Sequence, residues 1–528
     1  MGIPSYYTYL IKNFNKLIQK KTSIHGKINN FYLDSNSIIY DCLYNMEVEV
    51  NMKDFENKLI RNVCLKIDEY IKQVCPDNLV YISFDGIAPV AKLKQQKERR
   101  YKSMMMDEIY KEHGIVKHKM SFNKAKITPG TQFMKKLDKR VSDFFKDREK
   151  LYGINKIIFS GSKERGEGEH KIFDYIRNNQ NSTSQTAVIY GLDADLIIIG
   201  LNNLNYVEKL YLFRETPEFI KSIKANLEVN SLYFMNINNL RDMLLEEMTE
   251  TNIHKLPIET KNSIIKDYVF LMMFMGNDFM PHFPSLNIRT SGLHQILDIY
   301  KLIISSRNAR LVSDSGVIDW KYVRELIEKF KELEYDNIKR EYRIRDKMED
   351  KISKKNNDVL EQKITNIPIC CREDEKYINP FIPDWESRYY ETLLKMDRNN
   401  KENVEKICIN YLEGLEWNML YYTNGCKNWS WKYNFAYPPL FVDLLKYTPI
   451  WEVDMIQEND ENITNIQQLA YVLPIDLLGL IPKKERDIVE KYRKSKGREI
   501  GWSYCRYLWE AHIDFIGEDF KELCGLLQ

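Results

Sequence analysis

Two acidic residues, Asp193 and Asp195, interrupt one of the most apolar stretches of the chain, AVIYGLDADLIIIGL. A carboxylate in apolar surroundings takes up a proton unless something neutralises it. Similar acids close other apolar segments: Asp34 after FYL, Asp85 after VYISF, Glu167 and Glu169 in the glycine-rich turn beyond IIFSG, and Asp278 in the GND that follows DYVFLMMFM. Hard divalent cations take oxygen ligands, a few carboxylates together with waters and phosphate oxygens. Paired cations are the usual arrangement for phosphodiester hydrolysis. Acids set in sequence too apolar to be a solvated face therefore point to a site for two Mg²⁺ ions, with Mn²⁺ as a substitute. In extended chain the spacing of two turns Asp193 and Asp195 to one side, and Glu167 and Glu169 likewise. Gly166 and Gly168 permit close approach. Singly, each acid reads as well as a turn former or a helix cap. The joint pattern carries the metal reading.

Just beyond Asp85 lies AKLKQQKERRYK, in which Lys92, Gln96, Arg99 and Arg100 share one helical face while Lys94, Lys97 and Lys102 point elsewhere. A polar helix is ordinarily a solvated surface. Beside an acidic metal site, such a face suits a terminal phosphate, Arg offering bidentate donors and Lys a point charge.

Elements must carry these residues to one place. INNFYLDSNSIIYDCL, NLVYISFDG, INKIIFSG and TAVIYGLDADLIIIGL have the β-branched and aromatic character of buried strands. Between them run helix-like stretches, MKDFENKLIRNVCLKIDEYIKQV and TPGTQFMKKLDKRVSDFFKDREKLYG, the second opening on a Thr cap followed by Pro and closing on Gly. This alternation predicts an α/β domain with a mostly parallel sheet, whose strands deliver their carboxyl ends to one edge. DYVFLMMFMGNDFMPHFPSL reads as a buried helix ended by a Gly-Asn-Asp turn, with a strand the alternative. DNIKREYRIRDKMEDKISKKNNDVLEQKI, of mixed charge with few apolar anchors, predicts an exposed helix or a mobile linker. The expected division is a nuclease core over residues 1–305, a charged segment over 306–365 and a second unit over 366–528.

Composition limits the alternatives. With 528 residues, 44% hydrophobic and 29% charged, the chain reads as an ordinary globular protein. Its net charge of +2 leaves any nucleic-acid footprint to local clustering. The nine cysteines have no zinc spacing, which predicts free thiols in a reducing compartment. No apolar run reaches the ~20 residues of a membrane span. MGIPSYYTYL lacks the order of a secretory signal, and its hydroxyl is misplaced for myristoylation, with Tyr6 at the sixth position. Cytoplasm is the default.

At MGIPSYY, YLDSNSIIY, FDGIAPVAKLKQQKERR, ITPGTQFM, FSGSKERGEGEHKI, YGLDADLIIIGL and FLMMFMGNDFMPHFPSL the sequence resembles the XRN family of 5′→3′ exoribonucleases. WESRYY, YLEGLEWNMLYYTNGCKNWSWKY and LAYVLP resemble the family's second conserved region. The resemblance implies an α/β fold with a PIN/FEN-like nuclease core, mostly parallel sheet and helices on both faces, and a mainly helical second region closing the active-site pocket. It implies Asp34, Asp85, Glu167, Glu169, Asp193, Asp195 and Asp278 as metal ligands. Lys92, Gln96, Arg99 and Arg100 would bind the 5′ monophosphate, Lys92 also lying near the scissile region. The implied activity is processive degradation of single-stranded RNA with a 5′ monophosphate, by a monomer, downstream of decapping machinery. The family usually has His where Tyr40 stands, stacked on the leading bases; Tyr keeps a π-face, but its pKa near ~10 removes a protonation role. The sequence ends after the second region, so partner recruitment through a long C-terminal extension is not expected.

Two other functions share these features: a structure-specific 5′ flap DNA nuclease, and an inactive RNA-binding scaffold on the same fold. A terminal-phosphate face and a closing second region disfavour the first. The complete set of acids disfavours the second, since like charges repel at a dead site. Trp429, Trp431 and Trp502 could stack on RNA, although packing is the commoner use of aromatics in apolar company.

Overall fold

The structure, a computed structural model, describes residues 2–3, 5–14, 17–21, 24, 26–46, 52–112, 114, 122–179, 184–191, 193–215, 232–354 and 360–528. Its centre is a seven-stranded sheet in the order β1-β7-β6-β5-β2-β3-β4. The strands are β1 (Ile18–Gln19), β2 (Asn30–Asp34), β3 (Leu79–Ser83), β4 (Lys156–Ser160), β5 (Thr186–Tyr190), β6 (Lys209–Glu215) and β7 (Leu232–Asn236). From β4 through β3, β2 and β5 to β6 every pairing is parallel. β7 alone is reversed, antiparallel to both β6 and the edge strand β1, so the sheet is mostly parallel, as expected.

Strand alternation sorts side chains to two faces. Phe31, Leu33, Val80, Ile82, Val188 and Tyr190 pack with the helices Asn36–Tyr44, Met52–Val74 and Gln132–Phe145. Tyr32, Tyr81, Ala187, Ile189 and Leu210 face the helices Tyr6–Asn13, Gly168–Asn178, Asp195–Asn202 and Ile258–Met272. The chain leaves β2 toward β3 and β4 on one side and β5 and β6 on the other. A crevice at the carboxyl edge is expected at such a switch point.

Several boundaries differ from the sequence reading. INNFYLDSNSIIYDCL and TAVIYGLDADLIIIGL are each a strand followed by a helix, the helices being Asn36–Tyr44 and Asp195–Asn202. Every residue of Asp195–Asn202 is buried, which erases helical periodicity and leaves a β-branched run indistinguishable from a strand. Thr131, not Thr128, caps Gln132–Phe145, its side chain accepting from Met134 N–H. The segment then breaks before a short helix, Glu149–Tyr152, that closes on Gly153 at φ 68°. The apolar segment before Gly276 is a helix, Ile258–Met272, continued by a 3₁₀ turn, with Gly276 at φ 76°.

Most of the charged stretch lies on a 35-residue helix, Trp320–Lys354, one side of which is exposed and the other buried. Its buried stripe includes Glu334, Asn337, Ile338, Glu341 and Arg345. Both oxygens of Glu334 accept from Phe441 N–H at 3.0 Å. Arg345 grips both oxygens of Glu375 and the carbonyls of Cys505 and Pro368. Composition alone cannot distinguish such a satisfied polar stripe from a wet surface. Residues 355–359 of the stretch lie outside the described residues. None of the nine cysteines forms a disulfide, and no helix among the described residues is long and apolar enough to cross a membrane.

Candidate active site

The carboxyl edge gathers the acids. Asp34 is the last residue of β2, and Asp85 lies two beyond the end of β3. Glu167 immediately precedes the helix Gly168–Asn178 and Glu169 lies in its first turn; Asp195 opens the helix after β5. The two acidic pairs are thus set by helix starts rather than by extended chain, and the positive helix ends favour the charges. Asp278 arrives from the loop after Gly276. Glu167, Glu169 and Asp195 are buried, Asp34, Asp85 and Asp278 half-buried, and Asp193 exposed.

Asp34, Asp85 and Glu169 each bring a carboxylate oxygen within 4.8 Å of the others, as do Glu167 and Glu169 with a ring nitrogen of His170. A Cβ on Gly168 would overlap Asp34 Oδ1, and Gly168 N–H donates to Asp85 Oδ1 at 2.8 Å. Only glycine fits here. Gly2 packs in the same way: a Cβ would stand 2.5 Å from Asp195 Oδ1, and its N–H donates to Asp278 Oδ1 at 3.1 Å. Asn36 holds Asp85 from two sides, donating to Oδ2 and accepting from the backbone N–H.

Burial, then the charges of Asp85 and Asp193, push Asp34 well above the ordinary carboxylate range. Burial, then Glu167 and Asp34, do the same to Glu169. Burial and Asp278 raise Asp195 to about 7. Lys92 offsets part of this repulsion: its Nζ lies 2.5 Å from Glu167 Oε2 and 3.0 Å from Asp278 Oδ2. Burial opposes its charge, yet Glu167 and Asp278 hold it protonated well above the usual lysine value. Asp34 Oδ1 and Asp195 Oδ1 remain buried without a hydrogen-bond partner. Orphaned carboxylate oxygens around a glycine-lined approach fit a divalent cation.

The basic face lies on the helix Val90–Glu112. Lys92 joins the acids, while Gln96, Arg99 and Arg100 form the remainder. Gln96 is buried with Oε1 unpartnered. Arg99 is exposed. Arg100 donates to the Gln96 carbonyl at 3.1 Å and to Thr128 Oγ1 at 2.8 Å. Burial, then the like charge of Arg99, lower Arg100 to about 10, while Tyr40 acts the other way. Tyr40, half-buried on Asn36–Tyr44, therefore lies near the Arg100 guanidinium. Lys94 and Lys97 do point elsewhere, to the carbonyls of Tyr433 and Phe435 and to Glu518.

The second region meets the cluster. In its helix Lys401–Thr423, Tyr421 donates to Glu167 Oε1 at 2.8 Å and stacks on His170. Asn418 accepts from Asn277 Nδ2 at 2.8 Å, next to Asp278. Arg165, from the loop before Glu167, pairs with Asp460 and lies 3.6 Å over the Trp429 ring. Trp431 stacks on Trp417, and Trp502 donates to the Cys371 carbonyl; both pack, as expected. The sequence reading missed Gly2, Asn36, Thr128, His170 and Tyr421. Asn36 was the most accessible of these, a polar residue two positions from Asp34.

The model of the XRN 5′-3′ exonuclease N-terminus matches residues 1–216. That of the Xrn1 helical domain matches 259–376 and 372–496. The chain belongs to the XRN family. Its XRN N-terminal part is accordingly PIN-like, and the helical-domain match, from residue 259, takes in Asp278 as well as the helix Lys401–Thr423. Among XRN relatives, 5′-3′ exoribonuclease 1 of Saccharomyces cerevisiae is 26% identical over 93% of this chain and 40% of its own length. 5′-3′ exoribonuclease 1 of Schizosaccharomyces pombe is 25% identical over 93% of this chain and 45% of its own. The 5′-3′ exoribonuclease 2 homolog of Drosophila melanogaster is 25% identical over 99% and 68%. The chain spans less than half the length of the two yeast XRN relatives.

Proposed function

We propose that this chain is a metal-dependent 5′→3′ exoribonuclease that degrades single-stranded RNA from a 5′ monophosphate to mononucleotides. The approach of Asp34, Asp85 and Glu169 oxygens to within 4.8 Å carries the reading, and the activity named for the relatives supports it. Asp34, Asp85, Glu167, Glu169, Asp193, Asp195 and Asp278 would hold two Mg²⁺, or Mn²⁺ in their place. Bound there, the cations supply Lewis acidity, giving a nucleophile at neutral pH and charge stabilisation at the leaving oxygen.

The remaining roles fall to the chain's own groups. Arg99 and Arg100 are adjacent like charges, and a dianionic terminal phosphate relieves their repulsion while accepting their donors. Gln96 adds an amide to the same face, and Tyr40 offers a ring to the leading bases. Lys92 keeps Glu167 and Asp278 in place and neutralised. The wall formed by Lys401–Thr423 admits a free end more readily than a continuous strand. Monomeric action in the cytoplasm, on ends supplied by a decapping activity, completes the proposal; cysteines without disulfides suit a reducing compartment.

The test is incubation with Mg²⁺ and single-stranded RNAs bearing 5′ monophosphate, hydroxyl, triphosphate or cap, beside a DNA flap. Mononucleotides from the monophosphate RNA alone are expected. Flap cleavage would transfer the site to the DNA nuclease reading, and inertness on every substrate to the scaffold.

A further inference from the structure

We propose that Tyr421 is a positioning residue of the catalytic centre, its hydroxyl fixing Glu167 so that cation binding in the nuclease core depends on the helical domain. The inference rests on the proposed reading of the acids as cation ligands and goes beyond it, because Tyr421 lies 254 residues from Glu167 and is no ligand itself.

Glu167 is held at both oxygens. Oε1 accepts from Tyr421 Oη at 2.8 Å, and Oε2 faces Lys92 Nζ at 2.5 Å. The Lys92 contact alone would not set the carboxylate plane, since an ammonium on a flexible stem follows its partner and is shared with Asp278. The tyrosine hydroxyl has no such freedom. Its ring lies face to face with His170, centroids 3.6 Å apart at 18°. Trp417 packs at 4.7 Å, and Phe279 meets it edge-on at 5.6 Å. With the ring fixed on these sides and 2% exposed, the hydroxyl is a rigid donor. His170 follows Glu169, and Phe279 follows Asp278, so the ring also packs against the residues next to two further acids. Groups behind a metal ligand orient it, and their loss commonly costs 10–100-fold in cation affinity.

Tyr421→Phe removes the hydroxyl and keeps the ring. Mn²⁺ binding to the full chain is measured by calorimetry and by the EPR signal of free Mn²⁺, with Tyr389→Phe as control because it loses a buried hydroxyl bond of the same kind, to the Pro438 carbonyl at 3.0 Å. Tyr421→Phe should weaken Mn²⁺ binding by about 10-fold or more, with Tyr389→Phe binding as wild type does. Unchanged affinity, or equal weakening in both variants, overturns the positioning role. Wild-type protein that binds no Mn²⁺ overturns the cation reading itself, and the two failures are thereby told apart. Should Tyr421→Phe not fold, 3-fluorotyrosine at position 421 keeps the hydroxyl and the fold. Its fluorine resonance should then shift on adding Mg²⁺, and a resonance indifferent to Mg²⁺ overturns the role.

Discussion

Each acid of the cluster is intelligible only with its neighbours. Asp34 and Asp195 keep buried oxygens without partners, a cost that ordinary packing would remove by substitution. Asp193→Ala should reduce RNA cleavage by more than ~100-fold, since a ligand counts for more than the groups behind it, while RNA binding persists. Activity within tenfold of wild type would remove Asp193 from the ligand set. Arg99→Ala should cut the preference for monophosphate over hydroxyl ends by roughly tenfold, the value of a charge-assisted hydrogen bond; competition between the two RNAs gives the ratio. These acids and cations were legible because unpaired charge after apolar sequence is conspicuous. Gly2, Asn36 and Tyr421 were not, since a glycine, an amide or a tyrosine becomes functional only through what stands beside it.

Helix starts, not extended chain, place the two acidic pairs, and a fully buried helix after β5 hides its own periodicity. The strands and their carboxyl edge were readable from apolar runs. The charged stretch DNIKREYRIRDKMEDKISKKNNDVLEQKI gives no sign of the buried side of Trp320–Lys354, because that stripe is polar and its partners are distant in sequence: Glu375 for Arg345, Phe441 N–H for Glu334. Arg345→Ala should therefore lower stability by about 3 kcal/mol, against less than ~0.5 kcal/mol for Lys351→Ala on the exposed side. Denaturant unfolding of both variants makes the comparison. The buried helix ahead of Asp278 carries its own titration. Burial raises Asp267 to about 7, against hydrogen bonds from Tyr300, Leu311 and Val312. The folded state then binds the proton more tightly than the unfolded chain, whose Asp titrates near ~3.9. This group's stabilisation is complete below that value and is lost as pH rises through about 7. Asp267→Asn, mimicking the neutral form, should gain on wild type between pH 5 and pH 8 in urea midpoint (range set by ~3.9 unfolded and about 7 folded). A constant difference would contradict the shift.

For the whole molecule, the two regions meet at the acid cluster. Tyr421, Asn418 and the Arg165–Trp429 contact bring the helical domain against the acid cluster. A covalently closed circular RNA should survive while its linear 5′-monophosphate form is consumed, and cutting of the circle would mean that the wall is open. The sequence announced a second region but not its contacts, because long-range pairs such as Tyr421 with Glu167 leave no local signature. The central claim is that acids from separate strands and loops hold cations at one spot. Anomalous diffraction from a Mn²⁺-soaked crystal tests it most directly. The expected result is density ~2.0–2.6 Å from oxygens of Asp34, Asp85 and Glu169, with Asp193 beside it. Mn²⁺ bound only away from these residues, or none at a concentration that supports cleavage, would contradict it.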